Sequence, residues 1–313
     1  MPDHPLHIVT GALGYTGRSV TEQLLAQGVR VRTLTNSPNR PNPFGDKLEI
    51  LPLAFDDPDA LARSLEGAEV LYNTYWVRFN HALFTFDRAV ASTKLLFDAA
   101  ARAGVRRIVH VSILHARSAD DLGYYKGKHE LEVALETCGI PHAVVRPGVL
   151  FGRGDILVNN IAWVLRHLPL FGVFGDGLYR LRPLHVDDMA ALMIDHAHRT
   201  GNTHADAVGP EGFEYRELVR TIAGILGVRR PIVPVPPALG YWVAKLVNPI
   251  VKDVVITREE IEGLMRGLLD SDAPAAGNTK LTEWAAEHRD QLGRRYASEV
   301  GRRVKRDEAY EAI

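Results

Sequence analysis

Thr10-Gly11-Ala12-Leu13-Gly14-Tyr15-Thr16-Gly17 directly follows the apolar run Leu6-His7-Ile8-Val9 and directly precedes a helical pattern. Val20, Leu24 and Leu25 recur at helical spacing until Gly28, a residue suited to a C-terminal cap. A phosphate at a helix N-terminus needs backbone N–H groups that no Cβ obstructs. In this arrangement Gly11 permits a tight turn, Gly14 permits close approach of a pyrophosphate, and Gly17 lets helix and strand pack together. Leu13, Tyr15 and Thr16 complete the loop. The spacing alone is weak, and the strand before it and helix after it give it meaning.

Working outward, the first half alternates strands and helices. Strand patterns cover Val29–Thr35, Leu48–Leu53, Val70–Asn73, Arg107–Ser112 and His142–Arg146. Helical patterns run from Pro58, from about Phe84 to Ala103, and from about Tyr124 to Thr137. Strands separated by helices imply right-handed βαβ crossovers and an α/β fold, a doubly wound parallel Rossmann-type sheet. The pattern fades after Arg146, and His204–Val208 reads as one returning strand. The expected division is a dinucleotide-binding domain over 1–155, with 186–210 returning to it. The segments 156–185 and 211–313 are expected to form a smaller substrate-binding region.

The end of the second strand bears on the cofactor. NAD binders commonly place an acid there for the ribose 2′-hydroxyl. This chain has Leu34-Thr35-Asn36-Ser37-Pro38-Asn39-Arg40. With no acid present, Asn36, Ser37 and Arg40 suit a 2′-phosphate, so NADP is expected over NAD. Arg32 lies inside the strand, and the sequence does not give its direction.

Tyr124 and Lys128 are four residues apart and share a helix face. A phenol ionises near pKa 10, too high for proton transfer at neutral pH unless a neighbouring cation lowers it. Beside a nicotinamide, the pair suits proton transfer to or from a substrate oxygen while hydride moves at the adjacent carbon. Ser112, ending the fifth strand, can hydrogen-bond the same oxygen. A second pair, Tyr241 and Lys245, has equal spacing but lies in an amphipathic stretch read as packing. A structural or cofactor-contact role for Tyr124 stays open beside catalysis.

Together these residues resemble the short-chain dehydrogenase/reductase superfamily in its extended or atypical branch, which includes the NAD-dependent epimerase/dehydratase family. The phosphate loop is similar to the family's TGxxGxxG pattern, and Ala99–Ser112 to its helix-to-fifth-strand segment. Arg146-Pro147-Gly148 resembles its Arg-Pro step, His185-Val186-Asp187-Asp188 its HVDD element, and Gly209-Pro210-Glu211 a common late turn. The resemblance covers about residues 5 to 215. It implies Ser112, Tyr124 and Lys128 as the catalytic set, with Lys128 also on the nicotinamide ribose. It further implies Asp56 at the adenine, and Asn73, Thr74 and Pro147 along the cofactor. The family's helix asparagine falls at about Ala89, so its proton-relay role is not carried over. Tyr72-Asn73-Thr74-Tyr75-Trp76 departs from the usual small residues, and its aromatics would narrow the pocket.

Two functions follow as expectations. One is an NADP-dependent oxidoreductase, epimerase or dehydratase acting on a small hydroxyl or carbonyl substrate. The other is a non-catalytic dinucleotide-binding sensor or accessory subunit. The remaining features are quieter. A formal net charge of −1 over 313 residues argues against nucleic acid as a partner. One cysteine, Cys138, excludes an intramolecular disulfide and fits a packed residue in a cytoplasmic protein. No charged, apolar leader precedes the first strand, so no secretion signal is expected. Ala238–Ile256 is too interrupted to span a membrane, and packing on the protein is expected over lying on a bilayer. No metal cluster stands out, His4 and His7 included. His196, His198 and the run Arg302–Arg306 are read as solvated helix ends. Asp187 and Asp188 are read as a helix cap. Asn159 and Trp163 are candidates for the pocket roof, with core packing of Trp163 equally open. A homodimer is possible.

Overall fold

The structure, a computed structural model, describes residues 5–313; His4 lies outside them. Its central feature is a seven-stranded sheet. Six strands are β1 (Leu6–Thr10), β2 (Arg30–Thr35), β3 (Leu48–Pro52), β4 (Ala68–Asn73), β5 (Arg107–Val111) and β6 (His142–Pro147). The returning strand Thr203–Ala207 adds beside β6, giving the order Thr203–Ala207, β6, β5, β4, β1, β2, β3. Neighbours among β1–β6 pair in parallel, with Val9 opposite both Thr33 and Tyr72 and Asn73 opposite His110. Strand order reverses between β1 and β4, and such a switch point opens a crevice at the carboxyl ends of the strands.

The crossovers carry α1 (Tyr15–Ala26), α2 (Pro58–Leu65), α3 (Phe86–Arg102) and α4 (Gly123–Thr137). Their apolar faces are buried against the strands, where Leu61, Leu65, Leu96, Leu131 and Leu135 meet Ile8, Leu71 and Ile108. Burying one such side chain is worth about 1.5–3 kcal/mol, so this seam carries much of the sheet's stability. Cys138 lies at the C-terminal end of α4, its thiol donating to the Leu135 carbonyl.

Two compact units result. The first comprises Met1–Arg146, Met189–Asp206 and Arg306–Tyr310. The second comprises Pro147–Asp188, Ala207–Lys305 and Glu311–Ile313. Later helices are α5 (Leu157–His167), α6 (Val186–His198), α7 (Tyr215–Leu226), α8 (Pro237–Val251), α9 (Arg258–Met265), α10 (Leu281–Glu287) and α11 (Glu299–Val304). No helix among the described residues is long and apolar enough to cross a membrane.

Several expectations for the later chain are corrected. Asp187 and Asp188 lie inside the first turn of α6 rather than capping it. There Asp188 accepts the Thr279 N–H, 2.9 Å away. His196 is buried rather than solvated, with Nδ1 2.9 Å from Thr203 Oγ1. Arg107 fixes the same end of α6 by donating to the His196 and Gly201 carbonyls. Arg302 is buried and Arg303 pairs with Glu299, while Lys305 and Arg306 are exposed past the end of α11, as a solvated helix end would be. Asn159 and Trp163 clasp the later chain. Asn159 donates to the Arg295 carbonyl and accepts the Gly293 N–H, and Trp163 packs on His167 and Tyr296.

Candidate active site and dinucleotide site

The phosphate loop is built by close approach of backbone. Gly11 adopts φ +70°, a conformation costly for any residue with a Cβ, and its N–H donates to the Leu34 carbonyl at 2.9 Å. Ala12 N–H donates to Thr33 Oγ1, and that hydroxyl donates to the Val9 carbonyl, so β2 holds the turn from below. Gly14 is the N-cap of α1 and offers no side chain to cover the first N–H groups. At Gly17 an added Cβ would lie 2.4 Å from the Gly11 carbonyl oxygen. The cradle thus exists only while these positions lack side chains, and it fits a pyrophosphate at a helix N-terminus. Gly17→Ala is expected to displace the loop and cut dinucleotide affinity at least about tenfold, or about 1.4 kcal/mol. Unchanged affinity by fluorescence titration would refute this reading of the loop.

At the end of β2, Arg40 is buried with its guanidinium 5.6 Å from the Tyr310 ring centre. Arg306 donates to the Asn36 carbonyl at 3.0 Å. The C-terminal segment therefore brings a second guanidinium to this strand end, which local sequence could not show. Arg32 turns elsewhere, onto Glu49 and the Ser64 carbonyl. Asp56 is exposed on the turn leading to α2, whose N-cap is Asp57.

The β4 exit differs from expectation. Asn73 is fully buried, with its carbonyl oxygen accepting from Thr10 Oγ1 and the Tyr75 N–H and its amide nitrogen 3.0 Å from His110 Nδ1. Its side chain supports the loop from within the sheet. Thr74 Oγ1 donates to the Thr10 carbonyl at 2.6 Å and underpins Gly11. Pro147 is the last residue of β6.

Tyr124 and Lys128 lie on one face of α4, and both meet Trp76 from the β4 exit. The Tyr124 ring stands edge-on to Trp76 with centroids 5.7 Å apart, and edge-on to Phe86 at 5.8 Å. Lys128 Nζ lies 4.4 Å from the Trp76 ring centre and donates to the Val111 carbonyl at 2.6 Å. Gly127 makes room for the indole, since a Cβ there would lie 2.8 Å from it. Lys128 is only 2% exposed. Burial lowers its pKa to about 7, against the opposing pull of Glu132. A lysine desolvated in this way exchanges a proton near neutrality.

Ser112 is buried and donates to Glu132 Oε1 at 2.6 Å. Glu132 also receives a two-pronged contact from Arg146, Nε to Oε1 at 2.8 Å and Nη2 to Oε2 at 2.7 Å, with Arg117 at 3.3 Å. Burial pushes the Glu132 carboxyl up, but hydrogen bonds from Arg146 and Ser112 outweigh it and hold the pKa at about 2. The Ser112 hydroxyl is therefore bound into a carboxylate–guanidinium cluster. Glu132 is the partner of Ser112 that reading Tyr124 and Lys128 alone misses. Its signal is the same four-residue step continued once more, Tyr124, Lys128, Glu132. Ala89 is buried in α3, in one apolar cluster with Val77 and Phe86. No cluster of potential metal ligands is present among the described residues.

Comparison with known proteins adds to this geometry. A family model described as NAD(P)H-binding matches residues 11–156. A solved nucleoside-diphosphate-sugar epimerase of Staphylococcus aureus shares the fold, with a TM-score of 0.73 at 17% identity, covering 90% of this chain and 99% of that one. The chain is 25% identical over 285 residues to an Arabidopsis thaliana protein named mitochondrial NADH dehydrogenase [ubiquinone] 1 alpha subcomplex subunit 9. The match covers 84% of this chain and 70% of that one. It is 27% identical over 232 residues to a ceramide reductase of Caulobacter vibrioides, covering 73% of each. An NADPH-dependent quinone oxidoreductase of Escherichia coli, solved with NADPH, shares the fold. Its TM-score is 0.72 at 21% identity, covering 90% of this chain and 99% of that one. Residues 11–156 thus form an NAD(P)H-binding region.

Proposed function

We propose that this protein is an NADP-dependent oxidoreductase that reduces a small carbonyl, or oxidises the matching alcohol. The observation that carries the reading is the convergence of Tyr124 and Lys128 on Trp76 at the carboxyl ends of β4 and β5. Gly11, Gly14 and Gly17 would hold the pyrophosphate, with Leu13, Tyr15 and Thr16 around it. Arg40 and Arg306 at the β2 exit would hold the 2′-phosphate, and Lys128 the nicotinamide ribose. The dinucleotide, when bound, supplies the hydride. Tyr124 passes the phenolic proton to the substrate oxygen, and the buried Lys128 ammonium favours the phenolate left behind. Trp76 and Phe86 line the approach and exclude water. Ser112 orients the substrate oxygen only by exchanging its bond to Glu132.

The test combines titration and turnover. NADPH should bind about tenfold or more tightly than NADH, because two guanidiniums answer the 2′-phosphate. Arg306→Gln should weaken NADPH alone. NADPH absorbance should then fall on addition of one or more members of a panel of aldehydes, ketones and quinones. Equal affinity for both dinucleotides would overturn the NADP assignment.

A second reading, a non-catalytic NADP-binding accessory subunit, is favoured by one observation: Ser112 is buried and bonded to Glu132. Tight NADPH binding with no oxidation across the whole panel would select it.

A further inference from the structure

The second Tyr–Lys pair lies outside this site, on α8. Four large apolar side chains of α8 point away from the protein: Leu239 is 55% exposed, Trp242 57%, Val243 51% and Leu246 75%. Their spacing of i, i+3, i+4 and i+7 places them on one helix face. The opposite face is packed, with Ala244 buried and Gly240 so close to Phe174 that a Cβ would lie 2.5 Å from its ring. The helix is thereby fixed with an apolar stripe outward, which a helix that simply packs on its own protein does not leave. The expectation that Ala238–Ile256 packs on the protein accounts for half of this helix.

The exposed charge close to the stripe is positive, with the half-buried Glu259 beside Arg258 on α9 as its acidic neighbour. Residues 231–257 carry Lys245 and Lys252, and their only acid is Asp253. Asp253 is buried, its carboxylate accepting the N–H groups of Glu299 and Val300. Lys245 Nζ sits 5.3 Å from the Trp242 ring centre and 5.6 Å from that of Tyr241, and the Arg258 guanidinium stacks on Tyr241 at 4.8 Å. On neighbouring α9, Glu260 is engaged in the capping box with Thr257, and Glu262 pairs with Arg266. An apolar stripe with a tryptophan at its centre and a rim of cations is the chemistry of a helix lying in a lipid interface. The cations match anionic headgroups. Self-pairing of the same face would set Lys245, Lys252 and Arg258 against their own copies with no exposed acid in 231–257 to answer them.

We propose that α8 docks the protein on an anionic membrane surface, with Leu239, Trp242, Val243 and Leu246 entering the headgroup boundary and Lys245, Lys252 and Arg258 meeting the phosphates. The apolar face of such a helix sinks about 5–10 Å, without spanning the bilayer. The reading is independent of the reaction performed by the first unit.

Flotation of the full chain with vesicles tests it. The protein should float with phosphatidylcholine vesicles containing phosphatidylglycerol and much less with phosphatidylcholine alone, and added salt should reduce binding. Tryptophan emission should shift to the blue on binding, and Trp242→Phe should remove most of that shift. Leu246→Glu should reduce partitioning about tenfold or more, while circular dichroism and NADPH affinity stay unchanged. Lys245→Glu with Lys252→Glu should reduce binding to the anionic vesicles specifically. Failure of the native chain to float, or flotation insensitive to Leu246→Glu, would overturn the proposal. A concentration-dependent dimer in sedimentation, dispersed by Leu246→Glu without any lipid binding, would overturn it too and assign the face to a second copy.

Discussion

Replacing Tyr124 by phenylalanine is expected to lower turnover by about 10² to 10⁴-fold, the usual contribution of a positioned acid–base group, with NADPH affinity retained. The separation of the two effects follows from what the side chain touches. The ring stands edge-on to Trp76 and Phe86 and close to Tyr125, and phenylalanine keeps all three contacts. Only the hydroxyl is lost, so the wall of the pocket and the loop at Gly11–Gly17 persist. Lys128 would still stand over Trp76, because its own anchor is the Val111 carbonyl. The measurement is a steady-state assay on whichever carbonyl the native protein reduces, paired with an NADPH titration of both forms. Unchanged turnover removes Tyr124 from the catalytic role. Loss of NADPH binding would instead make the hydroxyl a cofactor contact.

The second large effect concerns stability. Glu132→Ala is expected to destabilise the first unit by about 3–5 kcal/mol, because it strands a partly buried guanidinium and a buried hydroxyl without their shared acceptor. Glu132→Gln keeps two polar atoms near Arg146 and Ser112 and should cost less. The same cluster fixes an acid limb. The folded carboxyl titrates at about 2 against an ordinary 4.5, so its contribution is complete above 4.5 and is lost as pH falls toward 2. Urea unfolding at neutral and acidic pH should show this slope in the native chain and a shallower one in Glu132→Ala. A variant within about 1 kcal/mol of the native chain, with the slope intact, would dismiss the cluster as a stabilising element.

Both predictions rest on one helix, and that helix shows where sequence reading succeeds. Tyr124 and Lys128 were legible because a four-residue step places them on one face whatever surrounds them. Ser112 was legible as the end of β5. The partner that takes its hydroxyl was not, because Glu132 meets Ser112 only when α4 lies across the sheet. Asn73 shows the same division. It ends β4, as the pattern predicts, and its side chain turns inward to His110 and Thr10, because a buried amide must find partners for all its polar atoms.

The glycine loop, the alternation of strand and helix, and the missing acid after β2 are properties of adjacent residues, governed by backbone freedom and by periods of two and 3.6. The sequence alone therefore determined the Rossmann sheet and the glycine turn between its first strand and first helix. Tertiary structure decided what those residues face. It brought Arg306 to Asn36 across 270 positions, set Trp76 over the Lys128 ammonium, and turned one face of α8 outward with its cations around it. Such contacts depend on which elements pack together, and no local period in the chain encodes that choice.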